Sequence, residues 1–248
     1  MKILVFGAGV LGCNLARNFF RAGKDVTLLA RGAWGESIPK NGLRIKDKFS
    51  SRMSVSRIPV TAELKAEDKY DVIFVVLRYT QLDAILDTLR TNPTKNIVFV
   101  GNEMRASALS ASLPEKNVMF AFASSAGHRE RKYVASVDLK KLKGNTAYLS
   151  RLIDANIEGY RAIKNAGHEI LPKDNAEFEG AAYHKTCLRF FKLMSATSLG
   201  KICASDHAMN AVDEMSALNR DLKAFFDEYG AKYPVWQELE QEVAKYLK

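Results

Sequence analysis

Three glycines and one arginine near the start of the chain have the types and the spacing to hold a dinucleotide. Gly7-Ala8-Gly9-Val10-Leu11-Gly12 follows the apolar run Lys2–Phe6, and Leu11, Leu15, Ala16, Phe19 and Phe20 then recur at helical spacing. In such a strand–turn–helix unit the first glycine allows a tight turn and the second lets backbone approach a pyrophosphate. The third lets helix and strand pack closely. The N-terminal N–H groups of the helix and its dipole would face the phosphates. A second strand, Val26–Ala30, ends in Arg31, about 20 residues beyond the glycines. In NAD-binding versions an acidic side chain there bonds the ribose 2′-hydroxyl, whereas Arg31 would pair with a 2′-phosphate. The pattern predicts NADP as cofactor, through Gly7, Ala8, Gly9, Val10, Leu11, Gly12 and Arg31. The alternative is a glycine turn in another α/β unit, with Arg31 as a surface charge.

Two further strands must place the remaining polar candidates. Asp71–Leu77 is a continuous apolar run that ends in Arg78-Tyr79-Thr80-Gln81, and Asn96–Val100 ends in Gly101-Asn102-Glu103. Ligands in open α/β sheets bind beyond the carboxyl ends of strands, so Arg78, Gln81 and Asn102 sit where a cofactor or substrate should lie. Between these strands, Leu82, Ile85, Leu86 and Leu89 predict a helix. Earlier, the turn at Asn41-Gly42 introduces Leu43–Lys46 and Met53–Val60, a pair of strands or a hairpin beside the sheet. From Asn117 to Tyr148 the chain reads as β-rich, with runs at Val118–Ala123, Tyr133–Leu139 and Thr146–Leu149. A helix from Ile153 to Ile163 ends before Gly167, and His168–Pro172 leads out of the first domain. Beyond Asp174 every long segment reads as helix: Ala176–Ile202, Ala208–Tyr229 and Pro234–Leu247. The expected fold is α/β, a Rossmann-type doubly wound sheet over residues 1–172, followed by a small all-α domain over 173–248.

Composition narrows the classes. The 248 residues are 47% hydrophobic and 26% charged, an ordinary globular balance. No run approaches the roughly 18 apolar residues of a membrane span. The chain enters its first strand at once, so no signal peptide and no membrane partner are expected. Cys13, Cys187 and Cys203 lack metal-ligand spacing and read as buried thiols of a reducing compartment, which points to the cytoplasm. His128 reads as an exposed loop residue, and His184 and His207 as helix-surface residues, so no metal site is expected. The net charge is +9, and residues 1–60 hold eleven Lys/Arg against three Asp/Glu. That basic surface would favour a polyphosphate cofactor. Nucleic-acid binding is the lesser alternative, since no nucleic-acid module is recognisable.

The order of these motifs resembles the ketopantoate reductase (2-dehydropantoate 2-reductase) family. The matching pieces are Gly7-x-Gly9-x-x-Gly12, Arg31, Asn41-Gly42-Leu43, Asp71 through Gln81, and Asn102. The resemblance implies an NADPH-dependent reductase of a small 2-oxo acid. It matches Lys185, in Tyr183-His184-Lys185, to the family's carbonyl-polarising lysine, and gives Asn102 a role in positioning substrate or the nicotinamide ribose. The alternative for Lys185 is a snorkelling surface lysine. The chain departs from the family pattern at Arg78, where lysine is usual, at Glu103, where glycine is usual, and at Arg189, where asparagine is usual. Family members also continue through helices carrying a serine and an acidic residue, which Glu228, Glu238 and Glu240 do not clearly match. These departures leave a second reading open, a non-catalytic NADP(H)-binding sensor or scaffold. A short helical second domain would also gain from a partner subunit, so a homodimer is expected.

Overall fold

Side chains along the first strand, β1 (Lys2–Phe6), alternate between two cores. Leu4 and Phe6 enter one, Ile3 and Val5 the other, and all four are buried. A strand covered on both faces belongs in the middle of a layered α/β unit. In the computed structural model, which describes residues 1–47, 50–123, 127, 142, 144–197, 200 and 211–244, β1 holds that central place. It pairs in parallel with β2 (Asp25–Leu29) on one side and β6 (Val72–Val75) on the other. The six-stranded sheet is completed by β5 (Val60–Thr61) beside β2, then β7 (Asn96–Val100) and β8 (Asn117–Ala121) beyond β6. All neighbours in it are parallel, and the winding reverses between β1 and β6. Helices α1 (Val10–Arg21) and α2 (Gly32–Asn41) cover one face through Cys13, Ala16 and Ile38. The short helices α3 (Leu86–Thr91) and α4 (Ala106–Ser112) cover the other through Leu89 and Leu109.

The hairpin expected after Asn41-Gly42 is an antiparallel pair, β3 (Leu43–Lys46) with β4 (Met53–Ser56). The predicted run Met53–Val60 divides, because its last residue begins β5 and joins the main sheet at its edge. The helix expected around Leu82–Leu89 is instead two 3₁₀ turns, Tyr79–Gln81 and Asp83–Ile85, running into α3.

The chain divides into two compact units, Met1–Glu130 and Arg131–Lys248. The helix α5 (Thr146–Asn165), which the sequence pattern attaches to the first domain, therefore lies in the second unit. Thr146–Leu149 is not a strand but the first turn of that helix. Asn145 caps it, its side-chain oxygen accepting the Tyr148 N–H at 3.0 Å. Helix α6 is shorter than expected and spans Ala181–Ser195, because Gly180 is its extended N-cap and a 3₁₀ turn at Lys173–Asn175 precedes it. The last two helices are α7 (Val212–Glu228) and α8 (Pro234–Ala244). The predicted run Tyr133–Leu139, together with His128, Cys203 and His207, lies outside the described residues. Among the described residues no helix is long and apolar enough to cross a membrane.

Helix α5 organises the helical unit from two of its faces. Ile153 and Ile157 pack with Ile170, Phe178 and Leu188, while Ala162 packs with Phe226 and Trp236. Between these clusters the buried Glu158 accepts the backbone N–H groups of Val235 and Trp236 at 2.9 and 2.8 Å. Those are first-turn donors of α8 that have no partner within their own helix. Their positive dipole end also favours a carboxylate. Nearby, Lys223 Nζ meets both oxygens of Glu240 at 3.1 and 2.9 Å, and Asn219 donates to the same carboxylate at 2.7 Å.

Replacing Glu158 by Ala leaves two inward donors without an acceptor and should cost about 3 kcal/mol in chemical denaturation. Glutamine, which keeps one acceptor, should cost less. The Lys223 hydrogen bond, opposed by burial and aided by Asn219, holds the Glu240 carboxyl below its usual value of 4.5. Its stabilisation is therefore present above that value and is lost as pH falls through the lower folded value. Thermal unfolding followed from pH 6 downward should show this loss in the wild-type protein and a shallower one in Glu240→Gln.

Candidate functional site

The crowding at the end of β1 explains two of the three glycines. Gly7 has φ +119°, and a Cβ on it would lie 2.4 Å from the Val76 carbonyl oxygen and 2.9 Å from Leu77 Cδ2. A Cβ on Gly12 would lie 1.9 Å from the Gly7 carbonyl oxygen. Gly9 differs from both. Its φ of −69° suits any residue, and no described atom lies within 4 Å of where its Cβ would stand. Packing within the described protein thus gives no reason for a glycine at this position. The backbone at this N-cap of α1 is open to an approaching group. Behind it, Ala8 O accepts the Cys13 thiol at 3.4 Å, and Leu11, in the first turn of α1, packs partly buried against the core. Val10 opens the helix and is partly exposed. The cradle fits a pyrophosphate.

The neighbouring strand ends converge on this loop. The Gly7 N–H donates to Leu29 O at 3.3 Å, which brings the end of β2 alongside. Arg31 follows as the exposed N-cap of α2, and its side chain makes no hydrogen bond or ion pair with another described residue. Gly35 lets α2 approach this point, since a Cβ on it would lie 2.4 Å from Ala30 O. On the other side β6 leads through Val76 and Leu77 to Arg78. The Arg78 N–H donates to Gln81 Oε1 at 3.2 Å, and both residues are exposed. After β7, the residues Gly101, Asn102 and Glu103 line a small recess with Leu77, Leu82 and Phe99.

Glu103 does not offer its charge to the mouth of this recess. Its side chain is only 7% exposed, with Oε1 accepting the Arg105 N–H at 2.5 Å and lying 3.8 Å from Arg105 Nε. The first unit thus gathers the glycine loop, Arg31, Arg78, Gln81 and Asn102 at one end of its sheet. Tyr79, Asp83 and Arg105, which brace this end, carry no motif in the sequence. Their only signal was polar or charged character just past two central strands.

Lys185 lies on α6 in the helical unit and is exposed, as is Arg189. Its neighbours Tyr183 and Leu188 turn into the core. Burial, with hydrogen bonding to Tyr160, raises the Tyr183 phenol well above its ordinary range. His184 Nε2 stands 3.4 Å from the Asp154 carboxylate.

The sequence pattern of the ketopantoate reductase PanE/ApbA family matches residues 3–145, more than half of the chain. Over 92 residues the chain is 38% identical to 2-dehydropantoate 2-reductase of Mesorhizobium japonicum, covering 36% of this chain and 27% of that protein. The protein of the same name in Lactococcus lactis is 25% identical over 146 residues, covering 48% of this chain and 46% of the other. The chain thus matches between about a quarter and a half of the length of these curated relatives. Among solved structures it resembles a protein described as a probable 2-dehydropantoate 2-reductase, PanE of Bacillus subtilis. That match has a TM-score of 0.64 at 14% identity over all of both chains. D-mandelate dehydrogenase, solved with NADH and anilino(oxo)acetate, gives a TM-score of 0.59 at 14% identity, covering 99% of this chain and 97% of that one. At such identities these two likenesses concern the fold.

The contrast among the glycines can be measured by thermal unfolding. Gly9→Ala should cost no more than about 1 kcal/mol, the difference between glycine and alanine at an N-cap. Gly12→Ala drives a methyl group into the Gly7 carbonyl and should cost about 3 kcal/mol or more.

Proposed function

The chain belongs to the ketopantoate reductase PanE/ApbA family, and from that premise we propose that it is an NADPH-dependent reductase of a small 2-oxo acid. The observation that carries this reading is the open backbone at Gly9, at the point where the sheet's winding reverses, with Arg31 exposed at the end of the adjoining strand. Crevices of this kind are where open α/β sheets take their ligands. The cofactor, when bound, supplies a hydride to the carbonyl carbon of the substrate.

The protein's own residues must then hold the phosphates, select the cofactor and serve the carbonyl oxygen. The first-turn N–H groups of α1 and the Gly9 backbone hold the pyrophosphate. Arg31 selects the 2′-phosphate by a charge-assisted fork. Arg78 keeps a positive charge at the exit of β6, and Gln81 braces the turn that carries it. Asn102 offers an amide donor and an acceptor to the substrate or to the nicotinamide ribose. Lys185 polarises the carbonyl and gives up the proton that completes the alcohol, as negative charge develops on oxygen. Arg189 provides a cation for the substrate carboxylate.

Fluorescence titration with NADPH and NADH, then absorbance at the nicotinamide band with a panel of 2-oxo acids, tests each part. Arg31→Ser should weaken NADPH by about tenfold and leave NADH nearly unchanged. Gly9→Ala should weaken both cofactors. Lys185→Ala should keep NADPH affinity and lower kcat by about 100-fold or more. Tight NADPH binding with no turnover of any 2-oxo acid would overturn the catalytic half and leave a cofactor-binding sensor or scaffold. Equal affinity for NADPH and NADH before and after Arg31→Ser would overturn the cofactor assignment.

A further inference from the structure

Two loops border the recess at the open end of the sheet, and they leave from different strands. One runs from Arg78 to Asp83 after β6, the other from Gly101 to Arg105 after β7. A single side chain spans them. Arg105 Nη1 donates to both oxygens of Asp83 at 3.0 Å each, and Nη2 donates to the Tyr79 carbonyl at 3.4 Å. The guanidinium lies over the buried Tyr79 ring, 4.5 Å from its centroid. On its own loop, the Arg105 N–H holds Glu103 Oε1 at 2.5 Å, with Nε 3.8 Å from the same oxygen.

We infer that Arg105 is a positioning residue of the cofactor and substrate site, a clasp that fixes the two strand-end loops against each other. The inference rests on the cofactor reading for its functional half. Arg78 directly precedes Tyr79, and Asn102 directly precedes Glu103. Arg78 and Asn102 are therefore each one residue from an anchor of the clasp. Asn102 is only half-buried and Arg78 is exposed. Their placement depends on the backbone that carries them. Arginine suits this task because its rigid planar fork reaches two acceptors and an aromatic face together. A lysine would offer one point charge in place of that set.

Amide hydrogen exchange of the full chain without ligand, paired with NADPH titration, tests the clasp. Arg105→Met should speed exchange about tenfold in peptides covering residues 78–83 and 101–105 together, and leave β1, β6 and β7 at wild-type rates. Asp83→Asn should give the same pattern, and the double variant should be no worse than either single one. In Arg105→Met the Kd for NADPH should rise about tenfold, with the KM for NADPH following it and kcat changing less. Arg105→Lys should restore only part of either effect.

Faster exchange in one loop alone, or a rise that extends into the strands, would overturn the clasp. Loosening of both loops with unchanged NADPH affinity would overturn its positioning role. If the wild-type chain binds no NADPH, the cofactor reading fails and the positioning role with it, while the exchange pattern still decides whether the loops are clasped.

Discussion

Backbone meets backbone where β1 gives way to α1, and the rest of the first unit is arranged around that contact. A side chain on Gly12 would begin 1.9 Å from the Gly7 carbonyl, and one on Gly7 would begin 2.4 Å from the Val76 carbonyl. The helix, its own strand and the neighbouring strand therefore approach more closely than any Cβ allows. Three consequences follow from this approach. Helix α1 begins close behind the end of β1, with Gly9 as its N-cap. Strands β1 and β6 are locked as neighbours, with Phe6 opposite Val75. The exits of β1, β6 and β7 also lie side by side, since a Cβ on Gly101 would contact Leu77 O at 3.7 Å. A crevice at the reversal of winding needs all three.

The strong positive charge of the first 60 residues means less than its count suggests. Arg17, on α1, is 5% exposed and already committed. Its Nη1 lies 2.7 Å from Asp47 and its Nη2 2.8 Å from Asn14 Oδ1, with Ser54 Oγ 3.5 Å from Nη1. Asp47 directly follows β3 and Ser54 lies in β4, so this buried cation fastens the hairpin to the helix that opens at the glycine loop. An arginine satisfied in that way adds little to the field outside. Arg31 is its opposite, exposed at the end of a central strand.

How far the sequence could be read depended on how local each cause is. The glycine spacing and the all-apolar central strands are written in neighbouring residues, and β1, β2, β6 and β7 form within a few residues of where the pattern puts them. Thr146–Leu149 misled because its residue types suit a strand, while the deciding fact is the Asn145 side chain bonded three residues ahead. Helix α4 went unforeseen because its seven residues, alanine, serine and one leucine, carry almost no apolar period. The sequence pattern puts the domain limit near Pro172, where a helix and a short run give way to helices only. The packing of α5 instead joins it to the later helices, through partners that lie far along the chain. Glu103, close behind the end of a strand, is turned inward by a residue two places on.

Glu103 and Glu158 share a physical solution, in different units and for different ends. Each is a carboxylate with little access to water, and each is held by backbone N–H groups, one from Arg105 and two from the start of α8. In both, the hydrogen bonds to the carboxylate come from the main chain. At the end of the first unit's sheet this has an electrostatic result. The carboxylate is withdrawn, while Arg31 and Arg78 stay exposed at the strand ends that flank the glycine loop. A ligand carrying phosphates would meet positive side chains and helix N–H groups there, with Glu103 Oε1 held by the Arg105 N–H. The Glu103 carboxylate is thereby turned toward the loop that carries it.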